Sequence, residues 1–260
     1  MILDEIVAHK RLEVAAQREK VPLDTLLERS ETLPLPLDFR GALRREGISL
    51  IAEIKRRSPS RGDIMPGVEA VELAGAYEQA GARALSILTD NKYFGGSLDD
   101  LAKVKRHTHL PCLRKEFIID PYQVHEARAG GADAILLIVR ILSDAELKSL
   151  HALAASLGLA VLVETHTEEE ILRALGAGAH IIGINNRDLD SLTVDVNTTL
   201  RLKNKVPGGH TLVSESGIYH RDEVRRLEDG GVDAILVGES LLFSGDIRAK
   251  VRELLFDDTH

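Results

Sequence analysis

Tryptophan is missing from this chain, aromatic residues of all kinds make up only 3% of its 260 residues, and cysteine occurs once, at Cys112. A single thiol permits neither an intrachain disulfide nor a thiolate metal cluster, so nothing points to an oxidising compartment. No apolar run approaches the roughly 18 residues of a membrane span. The opening MILDEIVAHKRLEV carries charges of both signs at helical spacing, where a signal peptide needs an apolar block. The expected location is the cytoplasm, with no membrane partner. Excess positive charge is also lacking: the formal charge is -8 and the pI is near 5.7, which disfavours nucleic acid while leaving room for a local basic cluster that holds a small anion. There is no GxGxxG after the first apolar run and no Walker sequence. Histidine is scattered without His-x-x-x-His spacing, so no metal site is expected.

What the chain does contain is an echo. Gly81-Ala-Arg-Ala-Leu, Gly131-Ala-Asp-Ala-Ile, Gly178-Ala-His-Ile-Ile and Gly231-Val-Asp-Ala-Ile nearly repeat one another, with their glycines 50, 47 and 53 residues apart. Each interval is twice the length of a βα unit, which predicts every second strand of an eight-stranded parallel barrel. The length is close to the roughly 250 residues of one such barrel. An apolar content of 44% supplies a sizeable core.

From Leu50 onward, strand-like apolar runs alternate with stretches of helical periodicity that end at glycine, as helix C-terminal caps do. The predicted strands are SLIAEIK, ARALSIL, LPCLRK, ADAILLIV, LAVLVE, AHIIGIN, HTLVSE and VDAILVG, and DIRAKVRELLF is the final helix. The expected fold class is α/β, a (β/α)8 TIM barrel with an N-terminal helical extension. A doubly wound open sheet is the competing arrangement, but it normally has fewer parallel strands and a phosphate loop after the first. Residues 1–48 read as the extension packed on a barrel of residues 49–260. Leu3, Ile6 and Val7 fall at helical spacing, a second short helix follows Pro22, and DFRGALRR adds a turn or two beyond Pro34-Leu-Pro36. Its apolar side could cover the barrel bottom as stabilising cover or the mouth as part of substrate enclosure, and the pattern favours neither.

Strand parity sorts the polar residues. Glu53 and Lys55 point the same way near the end of the first strand, Lys115 ends the third, Glu164 the fifth, Asn185 and Arg187 follow the sixth at spacing two, and Glu215 and Ser216 follow the seventh. Charged residues at the ends of buried strands carry a desolvation cost that an active site at the C-terminal face explains better than a solvated rim does. Lysine and glutamate together can shift one another toward the values that acid-base work needs. Ser214-Glu-Ser216-Gly217 and Val237-Gly238-Glu239-Ser240 stand where barrels often bind phosphate through loop N–H groups and a short helix N-terminus. One charge at an exposed helix terminus contributes only about 0.3–1 kcal/mol, so a dianion needs several donors with a cation or hydroxyl nearby. Lys55 and Ser58 across the mouth are the candidates, and a simple turn is the plainer reading of any one of these glycines.

The residues then carry a resemblance. Leu50-Ile-Ala-Glu53-Ile-Lys55-Arg-Arg-Ser58-Pro-Ser60, Leu85-Ser-Ile-Leu-Thr-Asp90 with Tyr93-Phe94-Gly-Gly-Ser97, Leu113-Arg-Lys115-Glu-Phe117-Ile, Val163-Glu164, Ile184-Asn185-Asn186-Arg187 and Ser214-Glu215-Ser216-Gly217-Ile together resemble the indole-3-glycerol phosphate synthase family of tryptophan biosynthesis. The likeness runs over essentially the whole chain. The Glu-x-Lys-x-x-Ser-Pro-Ser run combined with Arg-Lys-Glu-Phe and Ile-Asn-Asn-Arg is its most specific part.

That resemblance implies closure of a pyrrole ring on 1-(2-carboxyphenylamino)-1-deoxyribulose 5-phosphate, with loss of carbon dioxide and water and without a cofactor. The partner is then a small molecule, an anthranilate sugar phosphate. Lys115 carries over as the general acid, and Lys55 as the lysine that helps hold the substrate carboxylate and shares in proton transfer. Glu164 is assigned to orienting the lysines or assisting proton transfer and Glu53 to the base step before dehydration, an assignment that could be reversed. Phe94 and Phe117, with Leu136 and Leu236, supply the slot for the aromatic ring. Asn185, which also belongs with the catalytic set, and Ser58 supply donors for its carboxylate, Arg187 holds the strand-six loop or a substrate oxygen, and Glu215 belongs with the substrate-binding set. Ser216 is placed in both the catalytic and the phosphate-binding sets, the latter shared with Lys55, Gly217, Gly238, Glu239 and Ser240. Two departures stand out: Glu116 replaces the aspartate common in the family, and no tryptophan near the N-terminus covers the substrate as in some members. His166 reads as a rim histidine, with orientation of Glu164 as the alternative. An aminoaldose isomerase barrel and a non-enzymatic scaffold are the competing functions, and the expected assembly is a monomer or weak homodimer.

Overall fold

Eight parallel strands close a barrel in chain order: β1 (Ser49–Ile54), β2 (Ala84–Leu88), β3 (Cys112–Lys115), β4 (Ala134–Ile138), β5 (Ala160–Thr165), β6 (Ile181–Asn185), β7 (Thr211–Glu215) and β8 (Ala234–Val237). The computed structural model describes residues 2–58, 62–65, 67–188 and 193–256, so Pro59 and Ser60 of the Ser-Pro-Ser run lie outside the described residues. Three helices precede the barrel, α1 (Ile2–Lys20), α2 (Leu23–Glu31) and α3 (Phe39–Leu43). The crossovers are α4 (Ala70–Ala80), α5 (Leu98–Lys105), α6 (Pro121–Ala129), α7 (Asp144–Ser156), α8 (Glu168–Gly176), α9 (Asn197–Leu202) and α10 (Arg221–Asp229). A short α11 (Glu239–Leu242) and a final α12 (Ile247–Leu255) follow β8. The fold is thus the expected (β/α)8 barrel with N-terminal helices. No helix among the described residues is long and apolar enough to cross a membrane.

The echoing glycines have a mechanical reason. Gly81, Gly131, Gly178 and Gly231 all take positive φ, from +78° to +108°, just past the ends of α4, α6, α8 and α10. In each case the next N–H turns back to the last helical turn: Ala82 to Tyr77 O, Ala132 to Ala127 O, Ala179 to Ala174 O and Val232 to Leu227 O, at 3.0–3.1 Å. A left-handed residue with this back-bond is the glycine cap that ends a helix and redirects the chain, here into each even strand.

The register stacks the inward side chains of alternate strands in layers of four. The fourth residue of every repeat, Ala84, Ala134, Ile181 and Ala234, forms one even-strand layer low in the barrel. Above it come Ile51, Leu113, Leu162 and Val213, then Ser86, Leu136, Gly183 and Leu236. The next layer up, from odd strands only, is Glu53, Lys115, Glu164 and Glu215.

The three alanines low in the barrel leave a hollow, and α3 fills it. Phe39 and Leu43 are fully buried against Ile51, Ala84, Ala134 and Ala234. The Ser49 hydroxyl donates to Leu43 O at 3.0 Å, and Asp38 caps α3 by accepting from Gly41 N–H at 2.8 Å. Meanwhile α1 and α2 run along α6, where Tyr122 buries its ring with Val14 and Leu26 and donates to Val21 O at 2.7 Å. The other end of α1 brings Leu3 and Ile6 to the barrel mouth. The N-terminal helices therefore reach both ends of the barrel, α3 at the bottom and α1 at the mouth.

Candidate active site

The strand ends open into a cavity of about 410 Å³. Its floor is the charged layer. Lys115 Nζ lies 3.6 Å from Glu164 Oε2, 3.6 Å from Glu215 Oε2 and 4.0 Å from Glu53 Oε2, and all three carboxylates are buried. One step higher on β1's face, Lys55 Nζ is 2.8 Å from Glu53 Oε1 and 4.0 Å from Glu239 Oε1.

These neighbours set the protonation states. Burial alone would drive the Lys115 ammonium toward neutrality, but Glu164, Glu215 and Glu53 outweigh it and hold the group above the ordinary lysine value. Burial would likewise push the Glu53 carboxyl up, yet Lys55 and Lys115 keep it below the ordinary value, hence ionised. Glu215 goes the other way. Burial and the Glu164 charge push it up to about 8, with Lys115 opposing. Neither of its oxygens takes a hydrogen bond from the described residues.

Two glycines make this layer possible. A methyl group at Gly183 would collide with the Glu215 carboxylate, and one at Gly238 would stand 2.6 Å from Glu53 Oε1. The small residue on one strand is the space into which the acid of its neighbour folds. Behind Glu164, His166 does not sit on the rim. Its side chain is 7% exposed, with Nε2 3.6 Å from Glu164 Oε1 and Nδ1 3.3 Å from Glu170 Oε2. Burial lowers its proton affinity, but the Glu170 hydrogen bond and the Glu164 charge raise it further, so the imidazole is held above its ordinary value. The alternative reading, orientation of Glu164, fits this placement.

The walls are apolar on one side and polar on the other. Phe94 and Phe117 meet with ring centroids 6.0 Å apart and, with Leu136 and Leu236, line the cavity. Opposite them, Arg187 N–H donates to Asn185 Oδ1 at 3.0 Å, which commits the amide oxygen to the loop and leaves the NH2 group as donor. Glu239 receives the Tyr219 hydroxyl at 3.1 Å and Arg187 Nη2 at 3.4 Å. Its carboxylate is therefore engaged by a phenol and a guanidinium, and only its backbone N–H suits an anion. Ser216 and Gly217 follow one another at φ +68° and +78°. The Ser240 hydroxyl donates to Ile218 O at 2.8 Å, joining the loops after β7 and β8. Ser58 is buried in the same cavity.

The cavity thus brings together all the residues expected from strand parity and the family resemblance. It adds Leu3 and Ile6 from α1, Leu88 and Ile138 from strand ends, and Tyr219. Leu88 and Ile138 share the inward parity of Ser86 and Leu136, a signal that was available. Tyr219 lies in a loop with no period to mark it.

A closed barrel with titratable groups gathered at the C-terminal ends of its strands is the architecture of a (β/α)8 enzyme. A family model described as indole-3-glycerol phosphate synthase matches residues 3–254. The chain is 50% identical to the indole-3-glycerol phosphate synthase of Roseiflexus sp. (strain RS-1), covering 97% of each. It is 47% identical to that of Mycolicibacterium vanbaalenii, covering 100% of this chain and 95% of the relative. The chain belongs to the indole-3-glycerol phosphate synthase family. Solved structures share the fold alone: a chain of the tryptophan synthase complex of Pyrococcus furiosus has a TM-score of 0.59 at 16% identity, covering 79% of this chain and 97% of that one. A mandelate oxidase variant has a TM-score of 0.62 at 17% identity, with coverage of 90% and 83%.

Proposed function

We infer that this chain carries out the reaction of its family. It closes the pyrrole ring of 1-(2-carboxyphenylamino)-1-deoxyribulose 5-phosphate and releases carbon dioxide and water, giving indole-3-glycerol phosphate in tryptophan biosynthesis. The observation that carries the assignment of roles is the charged layer, where one ammonium is ringed by three buried acidic side chains beneath an aromatic slot.

Lys115 is the general acid. The surrounding carboxylates keep it loaded with a proton, which it passes to the ketone oxygen as the aromatic carbon attacks and negative charge moves onto that oxygen. Loss of the carboxyl group as carbon dioxide restores the ring. Glu53, held ionised by the two lysines, takes a proton in the step that leads to dehydration. Glu164, within 3.6 Å of Lys115 and backed by His166, orients the acid. Phe94 and Phe117 grip the anthranilate ring with Leu136 and Leu236. Lys55, Asn185 and Ser58 hold its carboxylate. The phosphate rests on the loops after β7 and β8, against backbone N–H groups of Ser216, Gly217, Gly238, Glu239 and Ser240. Lys55 and Arg187 supply positive charge there, and Glu215 enters as a neutral acid near pH 7.

The test is formation of fluorescent indole-3-glycerol phosphate by the purified protein and by Lys115→Ala, with circular dichroism to check both folds. Turnover by the unaltered protein and a loss of about 100-fold or more in a folded variant is the expected result. Absence of turnover in the unaltered protein sinks the assignment, and a fully active Lys115→Ala removes the lysine from the acid role.

A further inference from the structure

Lys10 of α1 is 1% exposed, an unusual position for an ammonium on a helix outside the barrel wall. Its Nζ is 2.9 Å from Asp90 Oδ2, 3.1 Å from Glu116 Oε1 and 3.1 Å from both carboxylate oxygens of Glu13. Glu13 lies on the same helix, but Asp90 and Glu116 are buried residues of two different loops, those after β2 and after β3. One cation on α1 therefore fastens two loops of the barrel mouth.

Each of those carboxylates also shapes its own loop. Asp90 Oδ1 accepts from Tyr93 N–H at 2.7 Å, and Glu116 Oε1 accepts from Phe117 N–H at 2.9 Å. The turns they set deliver Phe94 and Phe117, the ring pair of the cavity. The second oxygen of Glu116 takes the Thr89 hydroxyl at 2.8 Å, so the residue directly after Lys115 is held on both sides. Leu3 and Ile6 project from the same face of α1 as Lys10, two turns and one turn earlier, and reach the cavity themselves. Apolar contact fixes poorly where a helix stops along its axis, whereas a buried cation with buried partners fixes it well, because any slip leaves charges unpaired in a dry place.

We propose that Lys10 is a positioning residue for the reaction assigned above, a clasp that sets α1 across the mouth and fixes the spacing of the two phenylalanines that receive the aromatic ring. The inference rests on that reaction for its kinetic consequence but not for its structural one. Glu116 is one jaw of the clasp and Asp90 the other.

The experiment compares the unaltered protein with Lys10→Met and with the triple variant Lys10→Met/Asp90→Asn/Glu116→Gln. The triple variant removes the carboxylate charges that Lys10 neutralises while keeping the acceptors for Tyr93 and Phe117 N–H, so it answers if Lys10→Met fails to fold. Arg18→Ala, which breaks the exposed 2.6 Å pair to Asp120 toward the other end of α1, is the control. Two quantities are read: hydrogen exchange of amides in α1 and in β2 and β3, and the separate kcat and KM for the sugar phosphate. The expected result is about tenfold or more loss of protection in the first three turns of α1 with β2 and β3 unchanged, and a KM raised about tenfold with kcat within about threefold. Arg18→Ala should leave the kinetics as they are. Unchanged α1 protection, or a kcat loss at constant KM, overturns the proposal. If the unaltered protein shows no turnover, the reaction is at fault, and exchange alone decides the clasp: loss of α1 protection supports it and retention overturns it.

Discussion

At the end of β7, Glu215 keeps its proton near neutrality because its carboxyl is buried beside Glu164 and takes no hydrogen bond from the described residues. The folded value of about 8 against an ordinary 4.5 means that the native state binds a proton that the unfolded chain has released across that window. Stability should then fall as pH rises from 4.5 toward 8, at up to about 1.4 kcal/mol per pH unit from this group. Glutamine cannot ionise, so Glu215→Gln should lack this contribution and gain on the unaltered protein as pH rises through the window. Denaturant midpoints at several pH values check it, and parallel curves for the two proteins would contradict the assignment. The same carboxyl needs the bare backbone of Gly183. Gly183→Ala should cost about 1–3 kcal/mol, as overpacking does, and should lower kcat by displacing Glu215. Chemical denaturation with turnover assays reads both effects, and a variant of unaltered stability would mean that the carboxyl has other room.

Among the elements, α3 is the shortest of the three N-terminal helices and does the most for the barrel. It seals a hollow that the alanines of the repeat create, with Phe39 wholly inside. Phe39→Ala should therefore destabilise the protein by about 3–5 kcal/mol, measured by denaturant unfolding, because the surrounding strands are tied into a closed sheet and cannot collapse into the void. A loss below about 1 kcal/mol would show that the bottom is sealed by something else. The apolar stripe of the first helix was legible in the sequence, but its destination was not. Leu3, Ile6 and Val7 read alike whether they meet the mouth or a neighbouring helix, and Lys10 looks like an ordinary surface lysine until Asp90 and Glu116 are seen beneath it.

For the molecule as a whole, the strands and their order were legible because each is an apolar run bounded by turn residues, and because four helices end in the same glycine cap. The charged strand ends were legible through parity, since Glu53, Lys115, Glu164 and Glu215 all point inward from strands whose limits are plain. What parity withholds is height: only the register across neighbouring strands places these four in one layer. His166 was misjudged for a related reason. Its place just past a strand suggests the rim, while its burial comes from Glu170, which α8 swings back over it with a 2.6 Å bond from His166 N–H.

The alternation of layers bears on how such a chain can change over generations. The titratable ring belongs to odd strands, while the even strands place small or apolar residues, Ser86, Leu136, Gly183 and Leu236, in the layer beneath it. A lineage could alter its chemistry through four codons, at positions 53, 115, 164 and 215, without touching the strands that set the barrel's width. Inheritance of shape and novelty of reaction would then fall to different halves of the same cylinder.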